Sequence, residues 1–506
     1  MTKAEFIELV EEIERGLPVE GWHLHGFGVW PLVRLQLFAA NANASVLHDA
    51  VSGGALRNAA AVSTAYFAWA RAIVQDRRNN AHGLAPADVV FLAYSAGRQP
   101  VIDGRRCNPL LAPYVELVRD AGKRAAVWEM CHDGDYNLPR SVPSSFIQAQ
   151  LVSLRLASLF LHRPGRALPP LDGYPEFVAR VQAAGLRNRY AMMEALERDA
   201  YFVRRAADWF KRRLAAVGPS HGIVADYGPR ELAFCLACRE LGIQSVELQH
   251  GVINEVHPAY AGWRSVPAGG YATRPSVFWC WDEEGERAIE GWATARHGTA
   301  AVAGGDPWRE QWIGTDTQLV RTVDGQIEEI KRASGASRHI LVTLDPTGPV
   351  VPAIVADAMR RSPADWCYWV RLHPVGQRQR LPEAARVLRS SGVRSAPVEL
   401  SSQWPLPGLL RHMDAHVTPF WSTVVIEAED FGVRSVACAE RAREVFSRQL
   451  AEGTLQIALT HDDLVASIAQ QIAGRQAPRA ERRPDPVRTM AAILSPARLA
   501  RGRLAS

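Results

Sequence analysis

From Ala87 onward the chain repeats one pattern: a short run of apolar residues, a loop, then a segment with a 3.6-residue apolar period. ADVVFLAYS (87–95), KRAAVWEMC (123–131), HGIVADYGPRE (221–231) and SVELQHG (245–251) each predict a strand feeding a helix. Strands apolar on both faces belong in parallel sheets covered by helices. SVFWCW (276–281), TAAVAGGDPW (299–308), HILVTLDPTG (339–348), DWCYWVRLHPVG (365–376) and 405–438 repeat the alternation. The fold class predicted is α/β, two Rossmann-like parallel-sheet domains facing a cleft. Residues 262–275 are rich in Gly and Pro and lack periodicity, which places the boundary near 270. The expected domains are therefore 1–270 with a helical insertion at about 144–217, 271–474, and a tail at 475–506.

Within 405–438 the pattern goes helix, strand (416–419), Ser422-Thr423, helix, Gly432, strand. A helix begun at Ser422 would be capped by that hydroxyl, with free backbone N–H groups at the positive end of its dipole, where phosphate binds. Glu427 would lie on the same helix, within reach of a sugar hydroxyl. Other strand ends carry candidate chemistry because open α/β sheets bind ligands at their carboxyl edge. Ser95 to Arg98 follow the first strand, Glu129 ends the second, and Asp226 and His250 end neighbouring strands. His23, His25, Trp30 and Arg34, in the Gly- and aromatic-rich stretch 21–38, are acceptor-site candidates or a packed domain edge.

At 506 residues, 47% hydrophobic and 22% charged, the composition is that of a globular protein with a large core. The net charge of +5 is unevenly placed. Eight arginines against Glu481 and Asp485 put +6 on residues 475–506 and leave the body near −1. That distribution argues against a nucleic-acid binder, which shows a basic stripe across a folded domain. The tail could lie on an anionic bilayer, cross back onto the first domain, or be disordered. Seven scattered cysteines without framework spacing point to a reducing compartment, and Cys235 and Cys238 read as buried thiols of an apolar helix. The acidic amphipathic start is not a signal peptide, and a cytoplasmic location is expected. His132 to Gly134 is too short a cluster for a metal, so none is expected.

RLHP at 371–374, followed some fifty residues on by Ser422-Thr423 and Glu427, resembles the histidine-proline and serine motifs of bacterial transferases that use CMP-activated sugars, such as sialyl- and Kdo-transferases. LQHG with the strand-tip Asp226 before it is similar to the capsule and O-antigen β-Kdo transferases. The likeness covers roughly 85–135 and 220–440, and Trp421 stands where many members have a second Ser. It implies a metal-independent GT-B glycosyltransferase without cofactor, taking a CMP-sugar as co-substrate and passing an acidic ulosonic sugar to a glycan or lipid-linked glycan. By the same resemblance His373, Pro374, Ser422, Thr423 and Glu427 would bind the donor. Arg371 and Arg230 are candidate counter-ions to a donor carboxylate, Gly304 a further donor-site candidate, and Ser95 and Arg98 acceptor-site candidates. Asp226 would act as base or nucleophile with His250 and Glu129 beside it. Another nucleotide donor, or a UDP-sugar 2-epimerase, is the alternative.

Overall fold

The computed structural model describes residues 2–42, 59–79, 84–94, 100–131, 138–160, 170–293, 295–314, 316–346, 348–374, 377–478 and 484–495. Two parallel sheets form, giving the GT-B arrangement. The first has seven strands in the order Ala300–Ala303, Val277–Cys280, Gln244–Leu248, His221–Val224, Val89–Tyr94, Ala125–Met130 and Ser145–Phe146. The second has five: Trp366–Arg371, Arg338–Thr343, Ala415–Thr418, Arg434–Ala437 and Leu455–Ile457.

The boundary expected near 270 moves accordingly. Val277–Cys280 pairs with Gln244–Leu248 and Ala300–Ala303 pairs with Val277–Cys280, so the first lobe runs on to about 303. The Gly- and Pro-rich 262–275 is packed inside that lobe: Trp263 and Tyr271 are buried, and Arg34 donates to the Gly262 carbonyl at 3.1 Å. A loop without periodicity reads like a linker even when its aromatic side chains anchor it.

Residues 144–217 are helical over Gln148–Phe160, Tyr174–Ala183 and Met193–Val217, with Ser145–Phe146 as the edge strand. Phe202, Val203, Ala206, Phe210 and Leu214 of the long helix are buried in the first lobe's main core, opposite its arginine-rich face. Of His23, His25, Trp30 and Arg34, the last two are buried packing residues, His25 is half-buried and His23 is exposed. Trp30 and Arg34 are fully buried and both donate to Glu14 at 2.7 Å, while His25 pairs with Glu197 at 2.9 Å. The Trp30 and Arg34 donors are satisfied inside the lobe, which leaves these two none to meet an acceptor.

The tail returns to the first lobe. Pro486–Ile493 is a helix begun by the Asp485 carboxylate, which accepts from the Val487 and Arg488 N–H groups. Met490, Ile493 and Leu494 are buried, and His221 Nε2 lies 3.1 Å from the Ile493 carbonyl. Of the three alternatives for the tail, the described part crosses back onto the first lobe, and its apolar face is spent on the protein's own core; 496–506 lie outside the described residues. Among the described residues no helix is long and apolar enough to cross a membrane. All seven cysteines are free, and Cys235 and Cys238 are buried in the first lobe's core.

Candidate functional site

In each sheet, strand order reverses once, and the ligand crevice of an open α/β sheet opens at that point. In the first lobe it falls between Val89–Tyr94 and His221–Val224; in the second, between Arg338–Thr343 and Ala415–Thr418. A cavity of about 310 Å³ lies between the lobes, lined by Thr343, Leu344, Arg371 to Pro374, Phe420 and Ser422 to Val424 of the second and by Asn108 to Leu110, His250, Trp281, Asp306 and Trp308 of the first.

His373 and Pro374 follow the Trp366–Arg371 strand, and Ser422 and Thr423 follow Ala415–Thr418. The two strands flank Arg338–Thr343, so both loops meet over its end at Thr343 and Leu344. The helix after them starts later than the sequence suggests, spanning Val424–Asp430 with Thr423 as its first flanking residue and no side-chain cap. Ser422 Oγ accepts from the Val424 N–H at 3.3 Å. Gly432, with φ +68°, takes the left-handed turn after the helix.

Glu427 lines the same cavity, and burial pushes its carboxyl up to about 7 against the pull of Arg309. Arg309 is buried, with Nε 2.8 Å from Asp306 and Nη1 2.5 Å from Asp430, and its guanidinium lies 4.5 Å from the Trp281 ring. Burial alone would lower it, but Asp430 and Asp306 outweigh that and the net shift is upward. This cluster joins the segment after the first sheet to the helix bearing Glu427. Asp306, Trp281, Trp308 and Asn108 are cavity residues that sequence reasoning passed over. The available signal was Asp306-Pro307, an N-cap carboxylate before a first-turn Pro, which turns the chain directly after a strand.

On the first lobe, His250 reaches the cavity and Asp226 stands behind it, with His250 Nε2 3.7 Å from Asp226 Oδ1. Asp226 Oδ1 also accepts from the Tyr227 N–H at 2.7 Å. Buried Glu231 and Glu247 lie on the far side of Asp226 around a space of about 10 Å³. Burial raises both carboxyls, Glu247 to about 8, with Tyr260 donating to Glu247 at 2.7 Å.

Two expected members stand elsewhere, and a third is engaged by the protein's own backbone. Glu129 is fully buried, paired with Arg140 at 2.5 Å and absent from the cavity wall, and burial raises its carboxyl. It sits on the sheet rather than past its edge, its carbonyl accepting the Ile147 N–H of the neighbouring edge strand. Gly304 packs against the first lobe's core, where an added Cβ would fall 2.2 Å from the Trp279 ring. Arg371 lines the cavity, but its Nη1 donates to the carbonyls of Ser401 and Trp404 at 2.6 and 2.7 Å. Arg230 Nη1 donates to the Tyr94 hydroxyl at 3.3 Å. Ser95, Arg98 and His132 to Gly134 lie outside the described residues.

No family model and no curated protein sequence matches the chain. Among solved structures it is similar to the UDP-GlcNAc 2-epimerase of Methanocaldococcus jannaschii in complex with UDP-GlcNAc and UDP, at 11% identity and TM-score 0.47, over 80% of this chain and 99% of that one. Similar likenesses hold to the UDP-GlcNAc 2-epimerase of Neisseria meningitidis bound to UDP-GlcNAc (11%, 0.44, 83% and 100%) and to a Listeria monocytogenes structure described as a putative UDP-N-acetylglucosamine 2-epimerase (13%, 0.43, 81% and 96%). These neighbours are epimerases, whereas the short motifs resemble CMP-sugar transferases.

Proposed function

We propose that the cleft binds a nucleotide-activated sugar and that the protein is an enzyme of glycosyl transfer. The observation that carries the reading is the convergence of His373-Pro374, Ser422-Thr423 and His250 on one cavity, although they arise from three strand ends in two sheets. Transfer breaks the bond between the anomeric carbon and the nucleotide phosphate, and the phosphate leaves with the electron pair. Hydroxyl and imidazole groups aimed at that oxygen stabilise the charge as it grows. Ser422, Thr423 and His373 supply such groups from the second lobe. On the first-lobe side His250 lines the cavity with Asp226 behind it, and Asp226 acts through or beside that imidazole, as the base that takes the acceptor's proton or as the nucleophile of a glycosyl-enzyme.

A CMP-linked ulosonic sugar is the donor favoured by RLHP and the Ser-Thr turn, and a bacterial surface glycan, free or lipid-linked, is the acceptor that goes with it. The second reading is 2-epimerisation of a UDP-sugar. It is favoured by two carboxyls of the cavity wall, Glu427 and Asp306, with Glu427 raised to about 7, the kind of pair that could remove and return a proton at C2.

A thermal-shift screen of CMP, CDP, UDP and GDP tests the shared part, since a ligand bound only by the folded state stabilises it as ln(1 + [L]/Kd). At least one nucleotide should raise Tm; no shift with any would sink the reading. Incubation with a UDP-N-acetylhexosamine in heavy water separates the reactions. An epimerase places deuterium at C2 and keeps the nucleotide attached, whereas a transferase releases the nucleotide and leaves C2 unlabelled.

A further inference from the structure

The helix Lys3–Gly16 is capped at its start and anchored in the first lobe at its far end. Thr2 and Glu5 form a reciprocal capping box at its start. At its far end buried Glu14 accepts from Trp30, Arg34 and the Ser265 N–H, and Phe6, Val10 and Ile13 are buried between. Its leading residue nevertheless touches the other lobe. The Lys3 N–H donates to Glu444 at 2.7 Å, and Lys3 Nζ stands 3.7 Å from the centre of the Trp421 ring. Trp421 directly precedes Ser422 and Thr423. The same region is held nearby: Val252 packs in one apolar cluster with Val425 and Phe446, and Asn254 donates to the Val445 carbonyl at 2.8 Å.

We propose that Lys3 is a positioning residue, strapping the first lobe's leading helix across the cleft onto Trp421 and so fixing the loop that presents Ser422 and Thr423 to the cavity. A desolvated ammonium over an indole face is among the stronger cation–π contacts, and it orients the ring as well as attracting it. The groups around the ammonium are Glu444, which favours its charge, and Arg441, which opposes it; burial brings the amine down to about 8. His257 stands near enough that the Lys3 charge helps lower its imidazole, after burial. The effect on ligand affinity rests on the nucleotide reading, but the strap itself does not.

Hydrogen exchange at the amides of residues 421–424 tests the strap in wild type, Lys3→Met and Lys3→Arg. Met keeps the length without the charge, and Arg keeps the cation. Exchange should quicken about fivefold in Lys3→Met and stay near wild type in Lys3→Arg, in proportion to a contact of this class. Unchanged exchange in Lys3→Met overturns the strap. The Kd of whichever nucleotide raises Tm should rise about fivefold in Lys3→Met and less than twofold in Lys3→Arg. Faster exchange with an unchanged Kd would overturn the positioning role. If wild type binds no nucleotide, the functional reading fails and exchange still decides the strap.

Discussion

His250 Nε2 lies 3.7 Å from Asp226 Oδ1, the two side chains coming from the ends of adjacent parallel strands, His221–Val224 and Gln244–Leu248. The imidazole packs on Tyr227 with ring centres 5.2 Å apart, and its Nδ1 is buried with no hydrogen-bond partner among the described residues. Its Nε2 is thus the nitrogen turned towards the carboxylate. Asp226→Asn preserves that shape and removes the charge. It should lower kcat by at least about 10²–10⁴-fold, the range for loss of a positioned acid or base, while the nucleotide-induced rise in Tm stays within error. Full turnover by this variant would end the assignment.

His373→Ala should do the reverse. It removes a group from the second-lobe wall of the cavity without touching Asp226, so nucleotide Kd should rise about tenfold, the loss of about 1.4 kcal/mol. Calorimetric titration of the variant against the nucleotide chosen by the thermal screen measures it.

The Glu427 carboxyl titrates near 7 in the folded protein, above the ordinary value of 4.5, because burial disfavours its charge. Between 4.5 and 7 the folded state therefore holds more protons than the unfolded chain, and this group's contribution to stability falls as pH rises through that window. Glu427→Gln should flatten that part of the Tm-against-pH curve. The same neutralisation aids an anion beside it, so wild-type nucleotide affinity should climb from pH 8 to 6 and that of Glu427→Gln should stay level.

Arg34 is held by Glu14 and by the carbonyls of Pro258, Ala261 and Gly262, all inside the first lobe. Arg34→Met leaves a buried carboxylate and three carbonyls with lost partners. Breaking a buried pair of this kind costs about 3–5 kcal/mol. Urea unfolding should show that loss, and the double variant with Glu14→Gln should be less destabilised than the sum of the singles.

Gly304→Ala tests whether that glycine packs or binds. Its Cβ would fall 2.2 Å from the Trp279 ring, so the variant should lose about 1–3 kcal/mol of stability from overpacking. Nucleotide Kd should stay within twofold. A large affinity loss with intact stability would return Gly304 to the ligand site.

The two sheets were legible because most of their strands are short apolar runs followed by a helical period, and strand-end residues can be counted from such runs; the two-residue edge strand Ser145–Phe146, inside the expected helical insertion, was not. That reasoning placed His250, His373, Pro374, Ser422, Thr423 and Glu427 on the cavity wall. It could not tell which strand end faces the crevice and which continues into the sheet, a matter of strand order that periodicity does not encode. Glu129 illustrates this: it ends a strand beside the switch point, yet an edge strand and Arg140 cover it. Asp306 and Trp308 were missed for the converse reason, because a cap followed by Pro looks like any turn until the second lobe is set against it.

The chain leaves the first lobe after Gly304 and re-enters it before Pro486, and the two passages run side by side: an added Cβ on Gly305 would fall 3.1 Å from the Pro484 carbonyl. The second sheet is thus an insertion with both its stems at one point of the rim, so a cleft that opened about that doubled stem would part most widely at the opposite margin. A spectroscopic distance pair spanning that margin would register the motion, while one placed across the stems would stay still.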